Sequence, residues 1–217
     1  MSVTRPVRNM RPWIGTILLL GLLLALGACQ YSQPVTGSIQ GTAEAFSSVA
    51  FVGFQTEPGF ETPIRLADLA EMNNVVLDRL VKMNYQPIPP GQIKGTRAAI
   101  LSTNDEVDSV AYFKKIGIAR ASETVLIGNL YRYREKMTKG DPPASIGLTL
   151  RLIRTVDGIV LWRGRYDETQ KSIFENLLNI SRIFKKGLKW ATAKELALSG
   201  IDQLMDSFPS KNGKPEK

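Results

Sequence analysis

Thr124-Val-Leu-Ile-Gly-Asn-Leu-Tyr-Arg-Tyr-Arg134, then Ser145-Ile-Gly-Leu-Thr-Leu-Arg-Leu-Ile153, then Val160-Leu-Trp-Arg-Gly-Arg-Tyr166 decide the fold. The first stretch opens as a continuous apolar run and ends in alternation. The second places Ile146, Leu148, Leu150 and Leu152 on one side. In the third, Val160, Trp162 and Tyr166 share a side while Arg163 and Arg165 point away. Period-two patterning of this kind marks strands with one packed face. Lys139-Gly-Asp-Pro-Pro143 has turn chemistry, and Asp157-Gly158 is favoured hairpin chemistry. A three-stranded meander follows.

Upstream, Val49 to Phe54 is a short apolar run with β-branched and aromatic residues, a further strand. Leu66, Leu69, Met72, Val76, Leu80 and Met83 recur every three or four residues and predict an amphipathic helix. Asn84 to Ile88 reads as a brief extended piece closed by Pro89-Pro90-Gly91. A second helix is expected from Glu106 to Ile116, stopped by Gly117. Downstream, Ile173, Leu177, Ile180 and Phe184 form a helical stripe. Thr192 with Glu195 makes a capping box, and Leu196, Gly200, Leu204 and Phe208 carry a last helix inward. The expected fold class is α+β: a single domain over residues 47–209. It has an antiparallel or mixed sheet in the order β-α-β-α-β-β-β, helices on one face and a C-terminal helical segment. Residues 210–217 form a polar tail.

The run Glu123 to Tyr133, the alternating Ser145 to Ile153 and the Asp157-Gly-Ile-Val-Leu-Trp162 turn and strand together resemble a recurring pattern of bacterial envelope proteins. It is found in the curli-pore lipoprotein CsgG, the TolB amino-terminal domain and the penicillin-binding-protein activator LpoB. The resemblance spans about Ser47 to Tyr166 and rests on packing signatures. It implies an envelope protein of this fold, and it departs after Tyr166, where a longer helical segment stands.

The first 29 residues indicate destination. Arg5, Arg8 and Arg11 form a positive region without an acid. Ile14 to Leu26 is apolar apart from Thr16, and Gly27 and Ala28 lead to Cys29. This is the three-part layout of a secretory signal, with an apolar run short of the ~20 residues of a membrane span. Leu26-Gly27-Ala28-Cys29 resembles the lipobox, whose cysteine is acylated after cleavage of residues 1–28. Cys29 is the chain's only cysteine, and an unblocked thiol outside the cytosol is a liability. Acyl chains at about 0.8 kcal/mol per methylene anchor a protein stably. By the resemblance, Gln30 is compatible with the outer membrane, where an aspartate would favour inner-membrane retention. Residues 29–46, rich in Gly, Ser, Thr and Gln, read as a flexible tether with a reach of about 20–25 Å.

Length and composition bound the chemistry. The chain has 217 residues, 43 % of them hydrophobic and 22 % charged, enough for one sizeable core. Histidine is absent, which removes histidine-based triads and histidine-ligated zinc. Removing residues 1–28 takes away three arginines and no acid, leaving 25 basic and 20 acidic side chains, net +5. So small a surplus outside the cytosol suits anionic lipid or an acidic partner, not nucleic acid. Neither G-x-x-x-x-G-K-[ST] nor G-x-G-x-x-G occurs. Asp105, Glu106 and Asp108, and Asp167 with Glu168, are acid clusters whose neighbours point apart and read as solvated surface. Alternation through Tyr131-Arg132-Tyr133-Arg134 separates the tyrosines from the arginines. Arg182, Lys185, Lys186 and Lys189 ahead of Trp190 put four cations and no acid within eight residues. That suits a membrane or partner surface, or equally the cation-complemented end of a helix.

The expectation is a lipoprotein attached through acylated Cys29, on the periplasmic face and most readily of the outer membrane. It would be a non-catalytic accessory or assembly factor contacting an envelope protein, with no cofactor and no metal. An oligomer is compatible with this reading. The alternative is an oligomeric outer-membrane secretion component of the curli-pore type. Membrane strands of about 9 to 11 residues would then be needed, which the helical spacing after Tyr166 does not offer.

Overall fold

The computed structural model describes residues 35–39, 45–56, 64–101, 109–138, 140–170 and 191–211. Six strands form one open mixed sheet. They are β1 (Val35–Ile39), β2 (Ser48–Thr56), β3 (Gln86–Ile88), β4 (Thr124–Arg134), β5 (Ser145–Arg154) and β6 (Val160–Thr169), in the order β1-β6-β5-β4-β2-β3. The pairs β2–β3 and β2–β4 are parallel, and the others are antiparallel. Among the described residues there are four helices: α1 (Leu66–Lys82), α2 (Pro90–Leu101), α3 (Val110–Ala119) and α4 (Ala193–Met205). The meander and the α+β class stand as expected from alternation.

The central strands bury both sides, so their apolar residues sort into two cores. Val49, Phe51, Leu126 and Leu130 meet α1 and α4 on the first face. Ala50, Val52, Val125 and Ile127 meet Ile93 of α2 and Tyr112, Phe113 and Ile116 of α3 on the second. Helices therefore cover both faces, not one. The parallel crossovers between β2, β3 and β4 require this, because successive connections leave on opposite sides. On α1, Met72, Val76 and Leu80 are fully buried at four-residue spacing. On α4 the Thr192–Glu195 capping box is present, and Leu196, Gly200 and Leu204 face inward. Gly200 lets the helix approach β6 closely, since a Cβ there would lie 2.3 Å from the Tyr166 ring.

Four expectations differ in detail. First, the stretch taken as a tether contains β1, paired antiparallel to β6 from Val35 opposite Tyr166 to Ile39 opposite Trp162. Phe46, also assigned to the tether, is buried and stacks on Tyr85 at 5.0 Å. Five residues paired with a neighbour need no hydrophobic run, which is why polar composition hid them. Second, Pro89-Pro90-Gly91 closes the extended β3 as expected but leads directly into a helix that the sequence pattern does not announce. Pro90 is the first residue of α2, where its missing N–H costs nothing. Third, α3 starts at Val110, with the Ser109 hydroxyl accepting from the Tyr112 N–H, and runs through Gly117 to Ala119. Glu106, its expected start, lies outside the described residues. Fourth, a bulge between Leu152 and Ile153 sends Val160 to the second core, away from Trp162. The Ile173–Phe184 stripe also falls outside the described residues.

Candidate functional site: an open, arginine-bearing sheet face

On the second face, α2 and α3 cover only part of the sheet. Register defines successive rows across it. The row Val125–Ile153–Val160 is apolar and packed beneath the helices. The next is Ile127–Arg151–Arg163–Ser38, followed by Gln55–Asn129–Thr149–Arg165–Thr36. Arg163, Arg165 and Thr36 are exposed, and Gln55, Asn129, Thr149 and Arg151 are half-buried. Arg151 stands directly opposite Arg163.

The following row depends on a second bulge, between Leu130 and Arg132. Two residues of β4 there oppose one of β5, and the alternation of side chains is broken. Tyr133 points into the first core, buried with Ile146. Tyr131 instead lies on the open face over Gly147, where a Cβ would sit 2.4 Å from the Tyr131 ring. The two tyrosines therefore occupy opposite faces, and Tyr131 joins the arginines after all. Period-two reading could not find this, because one extra residue reverses every later assignment.

Asp167 gathers the cluster. The Tyr131 hydroxyl donates to its Oδ2 at 3.0 Å, the Arg132 guanidinium donates to Oδ1, and Arg165 Nη2 lies 3.5 Å from Oδ2. The Arg165 guanidinium also sits 4.9 Å from the Tyr131 ring centroid, within cation–π range. Burial raises the Asp167 carboxyl, but bonds from Arg132, Tyr131 and Arg165 together hold it below its ordinary range. Burial first, then the bond to Asp167, pushes the Tyr131 phenol up to about 12. Among the described residues, four arginines and one aspartate lie on this face. Guanidinium forks are suited to carboxylates held in a plane.

A different cluster fastens the helices. Asp68, nearly fully buried, is held by Arg65 through Nε at 2.8 Å and Nη2 at 3.0 Å. The Arg65 bond keeps its carboxyl low. The Tyr133 hydroxyl lies 3.0 Å from Glu135 Oε1 and 3.3 Å from Asp68 Oδ2, and burial pushes its phenol strongly up. Glu135 accepts from the Ala193 and Lys194 N–H groups at the start of α4. A carboxylate at a helix N-terminus is stabilising, so the cluster joins α1, β4 and α4. A cavity of about 770 Å³ opens beside it. At the far end, Glu123 Oε2 accepts from the N–H groups of Ser47 (2.6 Å) and Ser48 (2.9 Å) and from both hydroxyls. Those backbone bonds hold its carboxyl low and tie down the start of β2.

Of the residues singled out in the sequence, Asp167 and Glu168 do point apart, but neither is plain solvated surface: both are half-buried, Asp167 bonded by Tyr131 and Arg132 and Glu168 by the Tyr166 hydroxyl. Asp105, Glu106, Asp108, Cys29, Arg182, Lys185, Lys186, Lys189 and Trp190 lie outside the described residues. The residues flanking the last five, Gln170 and Ala191, sit at one end of the sheet. The Gln170 N–H donates to the Ala144 carbonyl at 2.8 Å, and Ala191 is two residues from Ala193, which Glu135 holds. Among the described residues no three histidine, cysteine or carboxylate side chains gather as a metal would need. None of the described helices is long and apolar enough to cross a membrane.

No protein-family model and no curated protein matches the chain in sequence. Similar solved structures include a dodecamer of a PelC point variant from Paraburkholderia phytofirmans. It is 18 % identical, with a TM-score of 0.49, over 83 % of this chain and 98 % of that one. The LpoB C-terminal domain from Salmonella enterica is 12 % identical, with a TM-score of 0.41, over 58 % of this chain and 84 % of that one. Lipoprotein GNA1162 from Neisseria meningitidis is 14 % identical, with a TM-score of 0.40, over 64 % and 96 %.

Proposed function

We propose that this chain is a lipid-anchored accessory or assembly factor of the bacterial envelope. It works without catalysis, by holding an acidic surface of another envelope protein on the open sheet face. The single observation that carries the partner is that face: among the described residues, exposed Arg163 and Arg165 stand beside Arg132, with Asn129, Thr149, Thr36 and one aspartate. The sole cysteine at the end of a secretory signal supports the anchor, and Gln30 supports the outer membrane.

The test is affinity purification of the full-length chain from membranes, with mass spectrometry of what accompanies it. Reversing Arg163→Glu and Arg165→Glu is expected to leave the denaturation midpoint nearly unchanged. It should weaken partner binding at least about tenfold, which is about 1.4 kcal/mol. Binding by the unaltered chain should fall with added salt, since charges are screened within about 10 Å at 0.1 M. Equal recovery of the partner by both chains would remove the arginine face from the reading.

A further inference from the structure

We infer that the acidic partner is held as an extended strand added to the outer edge of β1, with a carboxylate at every second residue. The inference deepens the reading above and rests on it. Strand β1 ends the sheet and has β6 as its neighbour. Their pairing runs from Val35 to Ile39 without a bulge, so β1 turns a regular row of backbone groups outward. Thr36, Gly37, Ser38 and Ile39 are all exposed. Gly37 has no side chain, so what it exposes is backbone. One of its sides is paired with Gly164, and a Cβ on it would lie 2.1 Å from the Ser207 hydroxyl. Its exposure therefore falls on the outer edge and the open face. Edge strands are commonly shielded by lysine, proline or a bulge, and Val35–Ile39 carries none of these.

The arginines specify the occupant. Thr36 and Ser38 stand on the open face, in register with Arg165 and Arg163. Neighbouring strands lie about 4.8 Å apart, so a strand added to β1 would run about 10 Å from β6. Glutamates opposite Thr36 and Ser38 would reach over these short side chains to the two guanidinium groups. Arg163 is exposed and meets no carboxylate among the described residues, and exposed Arg165 shares Asp167 with Arg132. Positions two apart on a strand share a face, so the recognised pattern is acid, any residue, acid. Main-chain bonds to β1 supply affinity, and the alternate carboxylates supply specificity. A second copy of β1 fits less well, because Val-Thr-Gly-Ser-Ile offers no acid to either arginine.

The experiment measures binding of a short peptide alternating glutamate and valine to the full-length chain in neutral detergent. Two further peptides carry N-methyl groups on alternate amides, offset from each other by one residue. An edge strand turns only every second N–H toward its neighbour. One methylated peptide should therefore bind at least about tenfold more weakly, and the other nearly as well as the parent. Amide hydrogen exchange in Thr36–Ile39 should be fast in the free chain and slowed by the parent peptide. Arg163→Glu with Arg165→Glu should also weaken binding at least about tenfold. Arginine-dependent binding that both methylated peptides share equally overturns strand addition and leaves the acidic-partner reading standing. Binding that ignores the arginine reversal overturns both. Absence of peptide binding, or β1 amides already protected in the free chain, overturns the inference, a dimer then assigning the edge to a second copy.

Discussion

The two faces of the sheet are built from the same strands and meet opposite fates. On the first, Leu126, Leu148, Leu150, Leu152, Trp162 and Tyr166 lie under α1 and α4 from β2 across to β6. On the second, α2 and α3 reach the row Val125–Ile153–Val160 and Ile127, and the strands beyond carry arginine, threonine and asparagine. An antiparallel strand with one packed side needs only alternate apolar residues, and β5 and β6 are such strands. The difference teaches that coverage is settled row by row. Where the helices stop, charge begins.

The sharpest way to break this comparison is to cut on either side of one peptide bond. Trp162 is fully buried, with its ring 5.1 Å from that of Phe208, whereas neighbouring Arg163 faces solvent. Trp162→Ala should destabilise by about 3 to 5 kcal/mol. Arg163→Ala should change stability by less than about 0.5 kcal/mol. Chemical denaturation of both variants measures the contrast, and similar losses would mean that the faces are not distinct.

A smaller effect sharpens how tightly the first face is closed. Gly200→Ala should favour α4 by up to about 1 kcal/mol through helix propensity. The added methyl meets the side of the Tyr166 ring, not its flexible end, and overpacking costs about 1 to 3 kcal/mol. Net destabilisation in urea is the expected outcome. A more stable variant would show that β6 and α4 have room between them.

The smallest effect belongs to the open face. Asp167 has a depressed carboxyl in the folded protein, so its contribution is present above the ordinary carboxylate range, near 4. It is lost as pH falls through the folded value. Asp167→Asn should cost about 1 kcal/mol or less at pH 7, because a third of the carboxylate is exposed and screened. Urea midpoints of the two proteins should converge once pH falls below the folded value. A gap that stays constant with pH would assign the loss to shape and not to charge.

Much of the fold was legible because its signals are local. The alternation of Ile146 to Leu152, the Asp157-Gly158 hairpin, the spacing of Met72, Val76 and Leu80, and the Thr192–Glu195 box each sit within a few residues and stand where expected. Less of the site was legible. Tyr131 was assigned with Tyr133, and only the bulge after Leu130 separates them. Strand β1 was hidden because its stability comes from pairing with β6, and its own residues Thr36, Gly37 and Ser38 show no pattern. In α2, Ile93 alone is fully buried among the described side chains, too few apolar positions to announce a helix after two prolines.

The sequence by itself determined the meander and the amphipathic first and last helices. Periodicity, turn residues and charge order are properties of neighbours along the chain. Tertiary structure alone decided that helices lie on both faces and that β1 closes the edge beside β6. It also placed Arg132, Arg151, Arg163, Arg165 and Tyr131 on one surface. Those outcomes depend on register between strands far apart in sequence, where a single extra residue in a bulge turns a side chain from the core to the open face.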